Sequence, residues 1–165
     1  MSWMNENSVD LRMRKLDGDF FCRAAVLIIS HCGGKLLAVH NKNFPDLYYT
    51  VGGAIGINET SREAARREAF EEIGAEMGIG RLAFVNERFM TVDGVKCHEI
   101  VFYYMAQVAA SFDMQDGRPT DQGDVETLHW LPLANLEKFN LVPSWLKTKQ
   151  LNSETELEHI VSIEN

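Results

Sequence analysis

A mixed β-sheet with helices packed on it is the fold class this chain predicts, on three observations. Segments rich in apolar and β-branched residues come early and return after residue 80, a single well-signalled helix lies between them, and short helical pieces follow the last strand pattern. Strands, one helix, strands and small helices in that order suit layers packed round one core. With 165 residues and 45% hydrophobic content the chain is long enough for one compact core and too short to argue for two. Residues 1–165 are therefore read as a single domain, with 1–18 as a lead-in and 150–165 as an acidic tail of uncertain order.

The elements follow in turn. "FFCRAAVLIIS", Phe20 to Ser30, reads as a strand, and the turn signal "HCGG" before "KLLAVH" makes the pair a hairpin. A loop "NKNFPD", punctuated by Pro45, leads to "LYYTVGG", a short strand that delivers the chain into a glycine turn. The helix starts at "TSRE", where Thr60 can cap and Glu63 stands three residues on in the reciprocal capping arrangement, and Gly74 offers the stop. Helical spacing puts Ala69, Phe70 and Ile73 on an anchoring side and gathers Glu68, Glu71 and Glu72 opposite, with Ser61, Ala64 and Ala65. "LAFVNERFMTV" and "KCHEIVFYYMAQV" flank Asp93-Gly94 and read as a second hairpin. "SFDMQDGRPTDQGD" is a long polar loop, "VETLHWLPL" a last strand, and "ANLEKFN" and "PSWLKTK" short helical pieces.

Charge narrows the function classes. A net charge of -8 argues against holding a nucleic acid duplex on a broad basic surface, because that mode needs Lys and Arg to neutralise phosphates. Small anionic ligands remain open to an acidic protein that recruits divalent cations. Cys22, Cys32 and Cys97 are odd in number and form no C-x-x-C pair, which argues against a disulfide framework or zinc site and fits a reducing compartment. The first twenty residues lack the apolar core of a secretory signal and no apolar run is long enough to span a bilayer, so the expectation is a cytoplasmic protein away from membranes.

The segment "REAFEE", Arg67 to Glu72, crowds three glutamates into one turn. Like charges at i and i+4 destabilise an isolated helix by roughly 0.2–0.5 kcal/mol per pair, a standing cost unless something cationic sits among them. Carboxylate oxygens are the preferred ligands of Mg²⁺ and Mn²⁺, and such a turn could hold these ions against substrate phosphates. For the trio alone an ordinary solvated face is the commoner explanation. Spacing changes the balance: Gly53, five residues, Glu59, seven residues, then Arg67-Glu68, Glu71-Glu72 and Gly74, with Ala69 and Ala75 at apolar positions.

This stretch, Gly53 to Ala75, resembles the Nudix box, G-x5-E-x7-R-E-U-x-E-E-x-G-U with U apolar, at every fixed position. Seven fixed positions at roughly one chance in fifteen each make coincidence about one in 10⁸ per window. Arg23 in the first strand, "VGG" before the box and "NERF" to "HEIVFYY" to "HWLPL" after it are also similar to this family. Two positions depart from its usual pattern. Val51 stands where proline is common before the glycines, and Gly56 and Asn58 replace a frequent glutamate and glycine, although Asn is the next-best residue for a left-handed turn.

The resemblance implies an α/β/α sandwich with a mixed sheet, the box forming loop, helix and loop. It implies a Mg²⁺-dependent hydrolase, with Mn²⁺ as the other candidate ion, that cleaves a nucleoside diphosphate linked to another moiety. It assigns Glu68, Glu71 and Glu72 to the metal, directly or through water, with the carbonyl of Gly52 as a further ligand. It pairs Arg67 with Glu59 to orient the helix glutamates. Gly53 and Gly74 support the turns at each end, and Arg23 reaches the phosphates with a planar fork suited to them. A carboxylate must accept the proton of the attacking water, and Glu71, Glu99, Asp121, Asp124 and Glu126 are the candidates.

Other features carry less. Glu99, beside His98 at a strand start, is either a paired carboxylate or part of the substrate site. Phe44, Tyr48 and Tyr49 could stack on a base, with core packing the commoner use of such residues. Trp130 and Trp145 are assigned to the core and Lys42 to a solvated loop. The stretch "ERFMTV" carries neither the proline of some ADP-ribose-hydrolysing relatives nor the tyrosine of some dinucleoside-polyphosphate relatives. Competing readings are a nucleotide-sensing module that binds without cleaving, and an isomerase of allylic diphosphates, for which the cysteine and glutamate placement does not match. A homodimer is the base-rate expectation for assembly.

Overall fold

The structure is a computed structural model that describes residues 9–15, 18–112, 114–151 and 156–164. Among these, ten strands form one mixed sheet: β1 (Arg12–Lys15), β2 (Gly18–Ile29), β3 (Lys35–Asn41), β4 (Tyr48–Ala54), β5 (Ile79–Val92), β6 (Val95–Gln107), β7 (Arg118–Thr120), β8 (Gly123–Pro132), β9 (Leu141–Val142) and β10 (Glu158–Glu164). The one α-helix, α1, spans Ser61–Ile73, and two short 3₁₀ helices cover Leu133–Lys138 and Ser144–Thr148.

Strand order is β10-β5-β6-β2-β4-β3-β8-β7, with β1 on β2 and β9 on β4. The pairs β2/β6, β4/β9 and β5/β10 are parallel and the others antiparallel. β2 is central because it is twelve residues long and β-branched or small at its inward positions, so one edge takes β6 along its whole length while the other serves β1, β4 and β3 in succession. Alternation along β2 feeds two cores. Ala24, Val26 and Ile28 pack toward α1 with Ala64, Ala65, Ala69 and Ile73, whereas Ala25, Leu27 and Ile29 pack on the other side with Leu136, Leu141 and Leu146 from the segments that hold the 3₁₀ helices and β9. This is the sandwich expected: helix, sheet, small helices. No helix among the described residues is long and apolar enough to cross a membrane.

Several expectations are corrected. β2 and β3 pair only at Ile29 and Leu36; beyond that pair β4 inserts between them, with Gly52 letting its backbone lie against Ala24 and Ala25. The polar loop before β8 contains β7, paired with β8, so it is partly sheet. β8 is not the last strand. The acidic tail contributes β10, whose residues 158–164 extend the sheet parallel to β5 from Phe84 to Met90. Part of that tail, 152–155 and 165, and most of the lead-in, 1–8 and 16–17, lie outside the described residues. The second hairpin turns as expected at Asp93 and Gly94, both at positive φ (50° and 80°). Trp145 packs near Phe84 and Tyr103, ring centroids 5.0 and 5.3 Å apart, and Trp130 packs against the helix-side core.

Candidate active site

Helix α1 begins as its sequence requires. The Thr60 hydroxyl accepts from the Glu63 N–H, the Glu63 carboxylate accepts from the Thr60 N–H at 2.8 Å, and Gly74 closes the helix in the left-handed conformation (φ 71°). Its faces are arranged differently from the spacing argument. Ala64, Ala65, Glu68, Ala69, Glu72 and Ile73 are buried, while Phe70 is 43% exposed and Glu71 points outward with its side chain 42% exposed. The three small alanines let the helix sit close to the sheet without help from Phe70. Glu68 and Glu72, one turn apart, therefore enter the interface together, and the trio divides into a buried pair and an exposed member.

Burial sets their chemistry. Desolvation disfavours the ionised form, so the Glu72 carboxyl is pushed up to about 8, with the Gly52 N–H at 3.2 Å and the charge of Arg23 opposing it and Glu68 and Glu126 adding to the rise. Burial also raises Glu68, against the pull of the Arg67 guanidinium. Glu72 Oε2 is buried with no hydrogen-bond partner, an orphan acceptor.

Arg67 ties the box together. Its guanidinium donates to both oxygens of Glu59 at 2.8 and 2.9 Å, to Glu68 Oε1 at 2.6 Å, to Glu71 at 3.4 Å and to the Ala54 carbonyl at 3.0 Å. The Arg67 hydrogen bonds hold Glu59 below the usual carboxylate range, although burial works against them, and the Gly56 N–H helps at 2.9 Å. Asn58 adopts the left-handed conformation (φ 65°), as its substitution for glycine requires. The lead-in also supports this loop: Leu11 N–H donates to Ile55 and Ile57 N–H to Val9, both at 2.8 Å.

The glycines are required by close approach. A Cβ on Gly53 would lie 2.3 Å from the Glu68 carboxylate, and one on Gly52 2.3 Å from the Ala24 carbonyl oxygen. Gly52 also sits at φ 148°. The missing side chains thus form the cradle into which Glu68 and Glu72 project.

That cradle opens into a cavity of about 470 Å³ lined on one side by Glu68, Glu72 and Glu126 and on another by Arg23, Arg88 and Glu99. Arg23 donates to the Gly52 carbonyl at 3.3 Å and lies 3.8 Å from Glu99. Glu99 is 1% exposed and takes a 3.0 Å hydrogen bond from Arg88. Tyr49 and Asn41 both donate to Glu126 Oε1, and Phe44, 61% exposed, stands at the margin. Tyr48 instead packs among His40, His129 and Phe139 on the other side of the sheet, while Tyr49 both lines the cavity and packs against the helix-side core.

The remaining carboxylates separate by position. Asp121 is exposed, paired with Arg118 and pressed on Gly74, where a Cβ would meet it at 2.0 Å. Asp124 is exposed and does not line the cavity, and Lys42 is exposed as expected. Arg88, Asn41 and Glu164 were not singled out from the sequence. For Arg88 a signal existed: a two-residue turn at Asp93-Gly94 sets the register that puts Arg88 opposite Glu99.

The donor set suits a hard divalent cation: two buried carboxylates, one with an unpartnered oxygen, beside a backbone carbonyl and a third carboxylate lining the same cavity. Among the described residues no three His, Cys, Asp or Glu side chains converge on one point, since Arg67 occupies Glu68 and Glu71.

The model of the NUDIX domain family matches residues 21–150. A search of curated proteins finds no match. Among solved structures the chain is similar to a MutT mutator protein from Bacillus halodurans (TM-score 0.64, 16% identity, 84% of this chain and 89% of that one). It is also similar to a MutT protein from Methanosarcina mazei Go1 (TM-score 0.58, 19% identity, 81% and 92%) and to a NUDIX-family hydrolase from Clostridium perfringens (TM-score 0.54, 18% identity, 78% and 92%). At these identities the likeness is one of fold.

Proposed function

Because the chain belongs to the Nudix family it is a Nudix-type pyrophosphohydrolase, and we propose that it uses Mg²⁺ to hydrolyse the diphosphate of a nucleoside diphosphate linked to another moiety. The observation that carries the metal assignment is the buried Glu72 Oε2 without a partner, one helical turn from buried Glu68 and beside the Gly52 backbone.

A bound divalent cation neutralises phosphate oxygens and lowers the pKa of an attacking water. Glu68, Glu72 and the Gly52 carbonyl would hold it, with Glu71, outside the cradle, reaching it through water. Arg67 and Glu59 act by position, locking Glu68 to the loop so that the carboxylate does not swing away. Arg23 offers a guanidinium fork to the phosphates from beside the Gly52 carbonyl, to which it donates at 3.3 Å. Of the five carboxylates considered as proton acceptor, Glu126 is favoured: it lines the cavity, its Oε1 is fixed by Tyr49 and Asn41, and Oε2 is left to take the proton. Glu99 also lines the cavity but is held by two arginines, which suits placement of Arg23 better than proton transfer. Tyr49 and Phe44 supply flat apolar surface for the nucleoside part. A reducing cytoplasm and a homodimer complete the reading as expectations.

The test is incubation with nucleoside triphosphates, nucleotide sugars and dinucleotides, followed by phosphorus NMR. At least one member should turn over with Mg²⁺ and stop with EDTA. No turnover of any member with Mg²⁺ or Mn²⁺ would sink the reading, and binding without products would favour a sensing module.

A further inference from the structure

Strand β10 lies beyond residue 150, where the family match ends, yet it reaches the cavity wall. Parallel pairing with β5 sets Ser162 beside Arg88, and Glu164, two residues on, falls on the same face and accepts from Arg88 Nε at 2.8 Å and from Nη2. Arg88 in turn donates to Glu99 Oε2, and Glu99 Oε1 faces Arg23. The result is an alternating row, Glu164, Arg88, Glu99, Arg23. Its first three side chains are 19%, 16% and 2% exposed, and the last, at 38%, opens to the cavity.

The alternation has a physical consequence. Buried Arg88 would be costly facing one carboxylate only; burial lowers its pKa, and Glu164 and Glu99 together more than reverse this. With Glu164 taking two of its nitrogens, the remaining one is aimed at Glu99. Glu99 is then held from behind, at a distance from Arg23 (3.8 Å) too long for a direct hydrogen bond, so Arg23, whose Nη2 donates to the Gly52 carbonyl at 3.3 Å, is steered without being tied to Glu99. Were Arg88 released, Glu99 would be free to close on Arg23 and withdraw its fork from the cavity.

We propose that Glu164 is a positioning residue of the substrate site, bracing Arg88 and Glu99 so that Arg23 stays available to substrate phosphate. This rests on the phosphate role given to Arg23 above. In Glu164→Gln, with the substrate found in the nucleotide panel, KM should rise roughly tenfold while kcat stays within about twofold, because the interaction lost is one of binding. On an Arg23→Lys background the same substitution should change KM by less than about twofold, since the brace then has no fork to steer. Independently of turnover, phenylglyoxal labelling mapped by mass spectrometry should modify Arg88 at least about fivefold faster in Glu164→Gln than in the parent, at a site buried in the parent. Should that variant not fold, Glu164→Asp, with its shorter reach, takes the same assays with the same expected signs. Parent-like labelling of Arg88, or equal KM effects on both backgrounds, overturns the proposal. A parent protein that turns over nothing refutes the proposed function instead, and the labelling then decides the brace.

Discussion

Two sets of carboxylates flank one cavity and differ in what neutralises them. Glu99 and Glu164 share Arg88, with Arg23 nearby, so each charge on that wall has an opposite within 4 Å. Glu68 and Glu72 are buried as well, but of the two Arg67 bonds only Glu68, and Glu72 has one backbone N–H, an unpartnered oxygen and only the more distant pull of Arg23, whereas Glu164, which also keeps one unpartnered oxygen, takes two bonds from Arg88 on the other. Burial of a carboxylate is thus not itself a sign of function. A wall whose charges are internally balanced can hold a geometry, whereas a wall with excess negative charge has capacity left for a ligand.

The contrast predicts different consequences of removing one charge from each wall. Glu72→Gln keeps the shape and the bond from Gly52 but removes the charge left for a cation, so turnover should fall by about 10³-fold or more, the several kcal/mol expected of a metal's charge stabilisation. Glu68→Gln should act in the same direction. Circular dichroism should show the fold intact in both, and unchanged rates for both would remove the proposed metal role.

On the balanced wall the effect falls on stability. Arg88→Met strands the Glu99 charge at 1% exposure with only a 3.8 Å neighbour, and should cost about 3 kcal/mol in denaturant unfolding. Adding Glu99→Gln should recover part of that loss, because the more deeply buried uncompensated charge goes with it while Glu164 still lacks its partner. A double variant no more stable than Arg88→Met would mean that packing of the Arg88 stem or its bonds to Glu164, and not compensation of Glu99, support the wall.

The two walls also differ in how legible they were in the sequence. The stretch from Gly53 to Gly74 made the glutamate cluster and both helix ends legible from spacing and capping, and the Arg67–Glu59 pair through the family resemblance it carries, because these contacts are local. Spacing misjudged Phe70: an apolar residue at helical spacing was assigned to the anchoring face, while three alanines and Ile73 had already filled the narrow space under the helix. It also grouped three glutamates that the fold separates, since the direction of burial depends on β4 passing through its two glycines. The balanced wall joins residues 23, 88, 99 and 164, which depend on strand order, and a parallel edge strand drawn from an acidic tail carries no local signal that it will be sheet. Insertion of β4 between β2 and β3 was hidden for the same reason.

The smallest effect tests the acidic wall without substrate. In EDTA the Glu72 carboxyl titrates near 8 in the fold, raised chiefly by burial, against about 4.5 when unfolded. A raised carboxyl means that the folded state binds the extra proton, so its contribution is neutral below the unfolded value and stability is lost as pH climbs between the two. From pH 5 to pH 7 the parent should therefore lose on the order of 2 kcal/mol relative to Glu72→Gln, whose side chain does not titrate. Thermal melts of both proteins across that interval give the difference directly. A gap that stays constant would mean that Glu72 is already satisfied in the free protein, and the distinction between the two walls would fail at its most exposed point.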